Sequence, residues 1–231
     1  MIVYGQNPVR EAVRGPREVR RIWATDPATL REWNVARHID AESSTREEIE
    51  ELCGSPDHQG ICAEVEPYRY ADPAGLFEAE DALVIALDEI QDPHNLGAVC
   101  RLAEVAGAAG VVITERRSAE VTPATCKASA GAVEHLEVAK VPNLANFLTD
   151  AKKDNAWIYG ADTSGVPYDQ PDYSGKVVLV LGAEGKGLRP RVKDSCDQLI
   201  ALPVRGKVES LNVSTAAAAL AYGILQFRAQ S

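Results

Sequence analysis

The chain has 231 residues, 45% of them hydrophobic and 25% charged, with a formal net charge of −10. That is the profile of an ordinary soluble globular protein, with room for one large domain or a medium domain and a small companion. No apolar run approaches the roughly 18 residues of a membrane span, and the acidic balance by itself argues against a protein that coats nucleic acid.

The start, "MIVYGQNPVREAV", has no apolar signal core, so a cytoplasmic protein is expected. "NPVREAVRG" reads as a short helix with Asn7 as cap and Pro8 at its first position. "VRRIWAT" reads as a strand, "STREEIEELCG" as an acidic helix capped by Ser44 or Thr45, and "GICAEVE" as a second strand. Residues 1–67 therefore form a small α/β unit. The proline-bearing, polar stretch over 68–81 reads as a linker.

From Ala82 to the end the pattern is a longer strand–helix alternation. The strands are "ALVIALD", "GVVIT", "LEVAKV", "AWIYGAD", "KVVLVLG" and "DQLIALP". The helices are "NLGAVCRLAEVAGA", "TPATCKASAGAVEHL", "NLANFLTDAKKDN", "RPRVKDSC" and "SLNVSTAAAALAYGILQFRA". Short apolar strands separated by helices predict an α/β fold with a parallel sheet covered on both faces.

Five cysteines (Cys53, Cys62, Cys100, Cys126 and Cys196) are scattered singly. Their odd number argues against a disulfide framework and their spacing against structural zinc, so no metal is expected. Arg10, Arg14, Arg17, Arg20 and Arg21 form a basic concentration. It is either a solvated helix face and loop or a contact for RNA phosphates.

The turn "VLVLGAEGKGLRP" follows a buried strand and invites a phosphate. Gly182 and Gly187 have the separation of a P-loop, but Leu188 and Arg189 stand where lysine and serine or threonine are required. The dinucleotide fingerprint fails for lack of a third glycine, and Glu184 would repel a polyphosphate. Two readings remain at this point: a neutral or cationic ligand held by main-chain groups, or a plain strand-to-helix turn with Glu184 in solvent. Two other stretches bear on the choice. "DPHNLGAVCRLAEVAG" carries Asn95 at a helix start and Arg101 six residues on. "LPVRGKVESLNVSTA" carries Ser210, Asn212 and Ser214 at the start of the last helix. All three fall at the C-terminal ends of strands, the edge at which open parallel sheets bind ligands.

In order and spacing, "NLGAVCRLA", "LGAEGKGL" and "LPVRGKVESLNVSTA" resemble the three motifs of the SpoU/TrmH family of RNA ribose 2′-O-methyltransferases, in the SPOUT superfamily. "YGQNPVREAV" and "HQGICAEV" resemble the start and end of the L30e-like substrate-binding domain of the branch that modifies 23S rRNA guanosine, shortened around "DPATLREWNVARHI". The resemblance implies an L30e-like domain over 1–67 and, over 82–231, a SPOUT domain with a C-terminal deep trefoil knot. It implies S-adenosylmethionine as methyl donor, contacted near Gly182, Leu202 and Leu211 with Leu181 and Gly187 alongside. It also implies a homodimer, and RNA as partner, rRNA before tRNA. Given the acidic net charge, RNA binding is expected to rely on the Arg10–Arg21 patch and on Lys186, Arg189, Arg205 and Lys207 near the site. Arg101 matches the family's catalytic arginine. Asn95, Glu184, Ser210 and Asn212 match its other polar site residues, which orient that arginine, the ribose and the turn. From other classes, a non-catalytic RNA-binding module is disfavoured by the intact polar set, and an NAD or ATP enzyme by the loop chemistry.

Overall fold

The computed structural model describes residues 1–26, 28, 30, 33, 39–207 and 210–230. Most of "DPATLREWNVARHI" (26–39), where the N-terminal resemblance is shortened, lies outside them.

The first 65 residues build a four-stranded sheet from β1 (Ile2–Tyr4), β2 (Val19–Ala24), β3 (Asp40–Ser43) and β4 (Ile61–Val65), in the order β1-β4-β2-β3. β4 is antiparallel to both neighbours, and β3 is a parallel edge strand. Among the described residues two α-helices accompany the sheet, α1 (Gln6–Arg14) and α2 (Arg46–Cys53). The cap of α1 is Gly5 at φ 94°, not Asn7, because the chain leaves β1 through a backbone conformation open to glycine. Thr45 caps α2 in a reciprocal box with Glu48 (3.2 and 2.8 Å). β3, "DAES", is exposed throughout, so no alternation announces it. Its acids blunt a bare sheet edge.

The rest of the chain builds a six-stranded, wholly parallel sheet. Its strands are β5 (Leu83–Asp88), β6 (Gly110–Thr114), β7 (Val138–Val141), β8 (Trp157–Pro167), β9 (Val177–Gly182) and β10 (Gln198–Ala201), in the order β10-β8-β9-β5-β6-β7. α3 (Pro93–Val105), α4 (Pro123–Ala128) and α7 (Val213–Gln230) lie on one side; α5 (Leu144–Lys153) and α6 (Pro190–Ser195) lie on the other. Successive residues of β5 alternate between the two cores: Leu83, Ile85 and Leu87 face α3 and α7, whereas Val84 and Ala86 face α5 and α6. Both faces are covered, so β5 and β9 read as continuous apolar runs. Each fully buried Leu or Ile there contributes about 1.5–3 kcal/mol.

Three further features differ from the sequence reading. α4 stops at Ala128 instead of running to Leu136, because Ala130 and Gly131 turn left-handed (φ 53° and 88°) and a short 3-10 turn, Ala132–Glu134, follows. α3 is capped by Asp92, which puts Asn95 inside the first turn. Residues 68–81 run along the β7 edge: the Ala71 N–H donates to the Val138 carbonyl (2.9 Å), and Leu76 and Phe77 are buried. Among the described residues no helix is long and apolar enough to cross a membrane, and no group of His, Cys, Asp and Glu is arranged to hold a metal.

Candidate active site

β9 ends at Gly182, and the chain folds back so tightly that Ala183 pairs with Gly187. A Cβ on Gly182 would stand 2.2–2.4 Å from the Gly187 and Leu188 backbone, so only glycine fits there. Gly185 and Gly187 take φ 73° and 65°. Arg189 then locks the turn to the end of β5: its backbone N–H and Nε donate to the buried Asp88 carboxylate (2.8 and 2.7 Å), and Nη1 pairs with Glu89 (3.0 Å). Much of the cationic capacity that the sequence assigned to RNA at Arg189 is therefore committed to the fold.

This geometry carries Glu184 across to the starts of α3 and α7. Glu184 Oε1 accepts from Asn95 Nδ2 (3.0 Å) and from Asn212 Nδ2 (2.7 Å), and Asn212 Nδ2 also donates to Asn95 Oδ1 (3.0 Å). The remaining Asn212 oxygen caps α7, accepting from the Ser214 N–H and hydroxyl (2.8 and 2.6 Å). Three segments separated by 89 and 28 residues thus meet at one carboxylate. A turn with its glutamate merely in solvent is ruled out.

Beside this node opens a cleft of about 370 Å³, a size suited to a small ligand. Gly182, Glu184 and Gly187 of the turn line it, with Leu181 at the end of β9 and Leu202, Ser210 and Leu211 from the stretch between β10 and α7. Leu211 and Val204 are about half exposed at its rim. Ala161, Asp162 and Thr163 at the bend of β8 also line it and were missed by the sequence reading. Their signal was available: small and polar residues where an apolar parallel strand reaches the binding edge. Asp162 is clasped by Lys193 of α6 (2.9 Å) and by the Ser164 N–H and hydroxyl (2.9 and 2.6 Å). Burial alone would raise its pKa; those partners outweigh it and bring it to about 2.

Arg101 stands apart from both node and cleft. It is exposed on α3, about 9 Å further along the axis than Asn95 and about 240° round it. Among the described residues it has no hydrogen-bond or ion-pair partner.

The N-terminal arginines need correction as a single RNA-facing patch. Arg17 is 9% exposed and is bound bidentately by Glu134, so it cannot reach a phosphate. Arg10 and Arg14 both engage Glu11, and Arg21 engages Asp40 and Glu42. Arg20 is exposed. Counting basic residues along the chain passed over Glu11 in the same helix and could not reveal Glu134, Asp40 and Glu42, which other elements supply.

The SpoU rRNA Methylase family model matches residues 82–222, and the model for RNA 2′-O ribose methyltransferase substrate binding matches residues 2–71. A relative in Bacillus subtilis (strain 168), "Putative TrmH family tRNA/rRNA methyltransferase YacO", is 37% identical over 98% of this chain and 95% of its own length. An "Uncharacterized tRNA/rRNA methyltransferase" of Mycobacterium avium (strain 104) is 38% identical over 93% of this chain and 74% of its own. Among solved structures, the SpoU methyltransferase AviRb from Streptomyces viridochromogenes, in complex with AdoMet, superposes with a TM-score of 0.86 at 23% identity, covering 100% of this chain and 91% of that one. An AdoMet-bound rRNA methyltransferase from Sinorhizobium meliloti gives 0.84 at 23% identity over 97% and 86%. These two likenesses establish the fold, an α/β architecture shared over nearly the whole length. With two family models placed end to end and full-length relatives above 30% identity, the chain belongs to the SpoU rRNA Methylase family.

Proposed function

We propose that the chain transfers a methyl group from S-adenosylmethionine to a ribose 2′-hydroxyl of RNA in the cytoplasm, with a guanosine of 23S rRNA as target. The observation that carries this reading is the Asn95–Glu184–Asn212 node beside the cleft, which joins the three motif segments. The cleft suits S-adenosylmethionine chemically. Main chain and apolar side chains make up much of its lining, and the carboxylates of Glu184 and Asp162, with Lys186, border it. Leu181, Gly182, Gly187, Leu202 and Leu211 would hold the donor. When bound, S-adenosylmethionine supplies an electrophilic methyl on a positive sulfonium. The expected trefoil knot would gather these same loops, those after β8, β9 and β10, round the donor.

The protein's own work is alignment. The node fixes the turn against α3 and α7, and Ser210 on the rim orients the ribose. Holding both reactants in line supplies several kcal/mol of barrier reduction. Arg101 is a poor base, since a guanidinium hardly deprotonates. Its role is to bind the neighbouring phosphate and stabilise the developing alkoxide, while water or phosphate takes the 2′-hydroxyl proton. Arg101 faces away from its own cleft, on a helix that also exposes Val105 (63%) and packs against α7, which exposes Tyr222 (50%). A homodimer joined through α3 and α7 would cover those apolar residues and deliver Arg101 to the second copy's cleft.

The test is transfer of labelled methyl from S-adenosylmethionine to unmodified 23S rRNA and tRNA by wild type and Arg101→Ala. Label at a single alkali-resistant dinucleotide of 23S rRNA, lost in the variant, is expected. Label in tRNA alone would move the target, and undiminished label with Arg101→Ala would remove the arginine's role.

A further inference from the structure

The most deeply buried ion pair among the described residues lies outside the cleft, where the two sheets' units meet. Arg17, from the segment leading into β2, donates through Nε to Glu134 Oε2 (2.8 Å) and through Nη2 to the other carboxylate oxygen. Its Nη1 reaches the Glu66 carbonyl (2.9 Å), and its guanidinium lies 5.7 Å from the centre of the Tyr68 ring. The two side chains are 6% and 0% exposed. Burial works against the arginine's charge, yet its bonds to Glu134 more than offset this and push its pKa up.

Close approach of the units surrounds the pair. A Cβ on Gly15 would stand 2.9 Å from the Glu134 Cβ, and one on Gly131 would stand 2.7 Å from the Glu11 Cβ. Lys127 donates to the Asp57 carbonyl (2.8 Å), and His135 meets Glu11 (3.0 Å). All these contacts join residues 5–66 to residues 127–135.

That second segment in turn braces the site. α4 packs on α3 so closely that a Cβ on Gly97 would stand 2.5 Å from the Ala128 Cβ, and Gly97 is two residues from Asn95. Packed contacts therefore run from Arg17 through Glu134 and α4 to the node. Units joined by a linker are expected to move relative to one another unless the interface prevents it. Here motion would leave a desolvated charge unpaired, so the pair tolerates one orientation.

We propose that Arg17 and Glu134 are positioning residues: they fix the N-terminal unit in one orientation on the methyl-transfer unit, and so determine which ribose of a bound RNA reaches the cleft. This rests on the RNA methyltransferase reading above.

The experiment compares wild type, Glu134→Gln and Gly15→Val in two ways. Gly15→Val wedges the interface at the Glu134 Cβ while leaving both charged groups in the chain, and covers the case in which Glu134→Gln fails to fold. Small-angle X-ray scattering should fit a single compact arrangement for wild type and a broadened, more extended one for both variants. With unmodified transcripts of 23S and 16S rRNA as probe, mapping of 2′-O-methyl positions should give one site for wild type and several for the variants. The KM for RNA should rise about tenfold with S-adenosylmethionine affinity unchanged, the mark of lost preorganisation and not of a damaged cleft. Wild-type scattering that already requires many orientations would overturn the clamp. Loosened variants that keep the single site and the wild-type KM would overturn its role in specificity. A wild type that binds S-adenosylmethionine but methylates no RNA would sink the functional reading and with it the specificity role, while the scattering still decides the clamp.

Discussion

Glu184 and Glu134 both stand where distant segments of the chain converge, and their surroundings treat them in opposite ways. Glu184 sits on an exposed turn and accepts from two neutral amides, Asn95 and Asn212. Glu134 has no exposed side-chain surface and is held by a guanidinium. The amides orient a carboxylate without neutralising it, which leaves its charge available at the cleft. The guanidinium consumes the charge, and the result is a joint between two units. Convergence in space marks both positions; on the proposed function, the kind of partner separates a place for chemistry from a place for structure.

The largest expected effect lies at the joint. Arg17→Met strands Glu134 without a partner and should cost about 3–5 kcal/mol. For a chain of this length that lowers the melting temperature on the order of 10 °C, readable by calorimetry. Replacing both partners with apolar residues, Arg17→Met with Glu134→Leu, should recover most of the loss, because the penalty belongs to the stranded charge and not to the missing pair. A double variant no more stable than the single would show that the joint depends on geometry these side chains alone provide. Cys126, against the same pair, should stay unreactive toward thiol reagents in the native protein: burial and the neighbouring Glu134 push its thiol up to about 12.

The node should respond in activity instead of stability. Glu184→Ala frees the turn from α3 and α7 and should lower kcat/KM about a hundredfold, while water can replace the lost partners on this exposed turn, so the melting temperature should fall by much less than in Arg17→Met. Asn212→Ala should lower both, because the same side chain caps α7, and a lost cap costs about 1 kcal/mol. If Glu184→Ala destabilised the protein as much as Arg17→Met, the contrast between the two carboxylates would collapse.

The sequence announced these two places unequally. Every strand of the parallel sheet was legible, because runs such as Val177–Leu181 are apolar on both faces and end at glycine or proline. Asn95, Glu184 and Asn212 were legible because each stands in a motif at a strand's C-terminal end. The joint was not. Arg17 was read with its sequence neighbours as part of a basic patch, and nothing local pairs it with Glu134, which is 117 residues away. α4 was drawn too long because Ala130 and Gly131 sit in an otherwise helical pattern, and only the docking of α1 against them requires the break. Local periodicity reports which face of an element is buried; it is silent on what comes to bury it.

A smaller effect separates the cleft's far wall from its node. Asp162 is clasped by Lys193, which holds its carboxyl at about 2 in the folded chain, below its ordinary 3.8. A lowered carboxylate pKa contributes stability that is full above about pH 4 and lost as pH falls through about 2. The pair lies near solvent, so screening reduces the contribution to about 1 kcal/mol. Asp162→Asn should therefore flatten the loss of stability between about pH 4 and pH 2 in acid titration. An unchanged acid limb would mean that the clasp contributes nothing net to the fold.

The smallest effect divides the arginines themselves. Arg20 is exposed, whereas Arg10, Arg14, Arg17 and Arg21 each engage a carboxylate within the protein. A side chain that meets one RNA phosphate contributes about one unit to the slope of log K against log salt, so Arg20→Ala should reduce that slope by up to about one. Arg10→Ala should change it less, since the arginine must first leave Glu11. Arg17 substitutions should leave the slope intact while weakening binding at every salt concentration, because a positioning residue changes how the RNA is presented and releases no counterions. A salt slope that fell with Arg17 and not with Arg20 would reverse the assignment and return Arg17 to the RNA-facing surface.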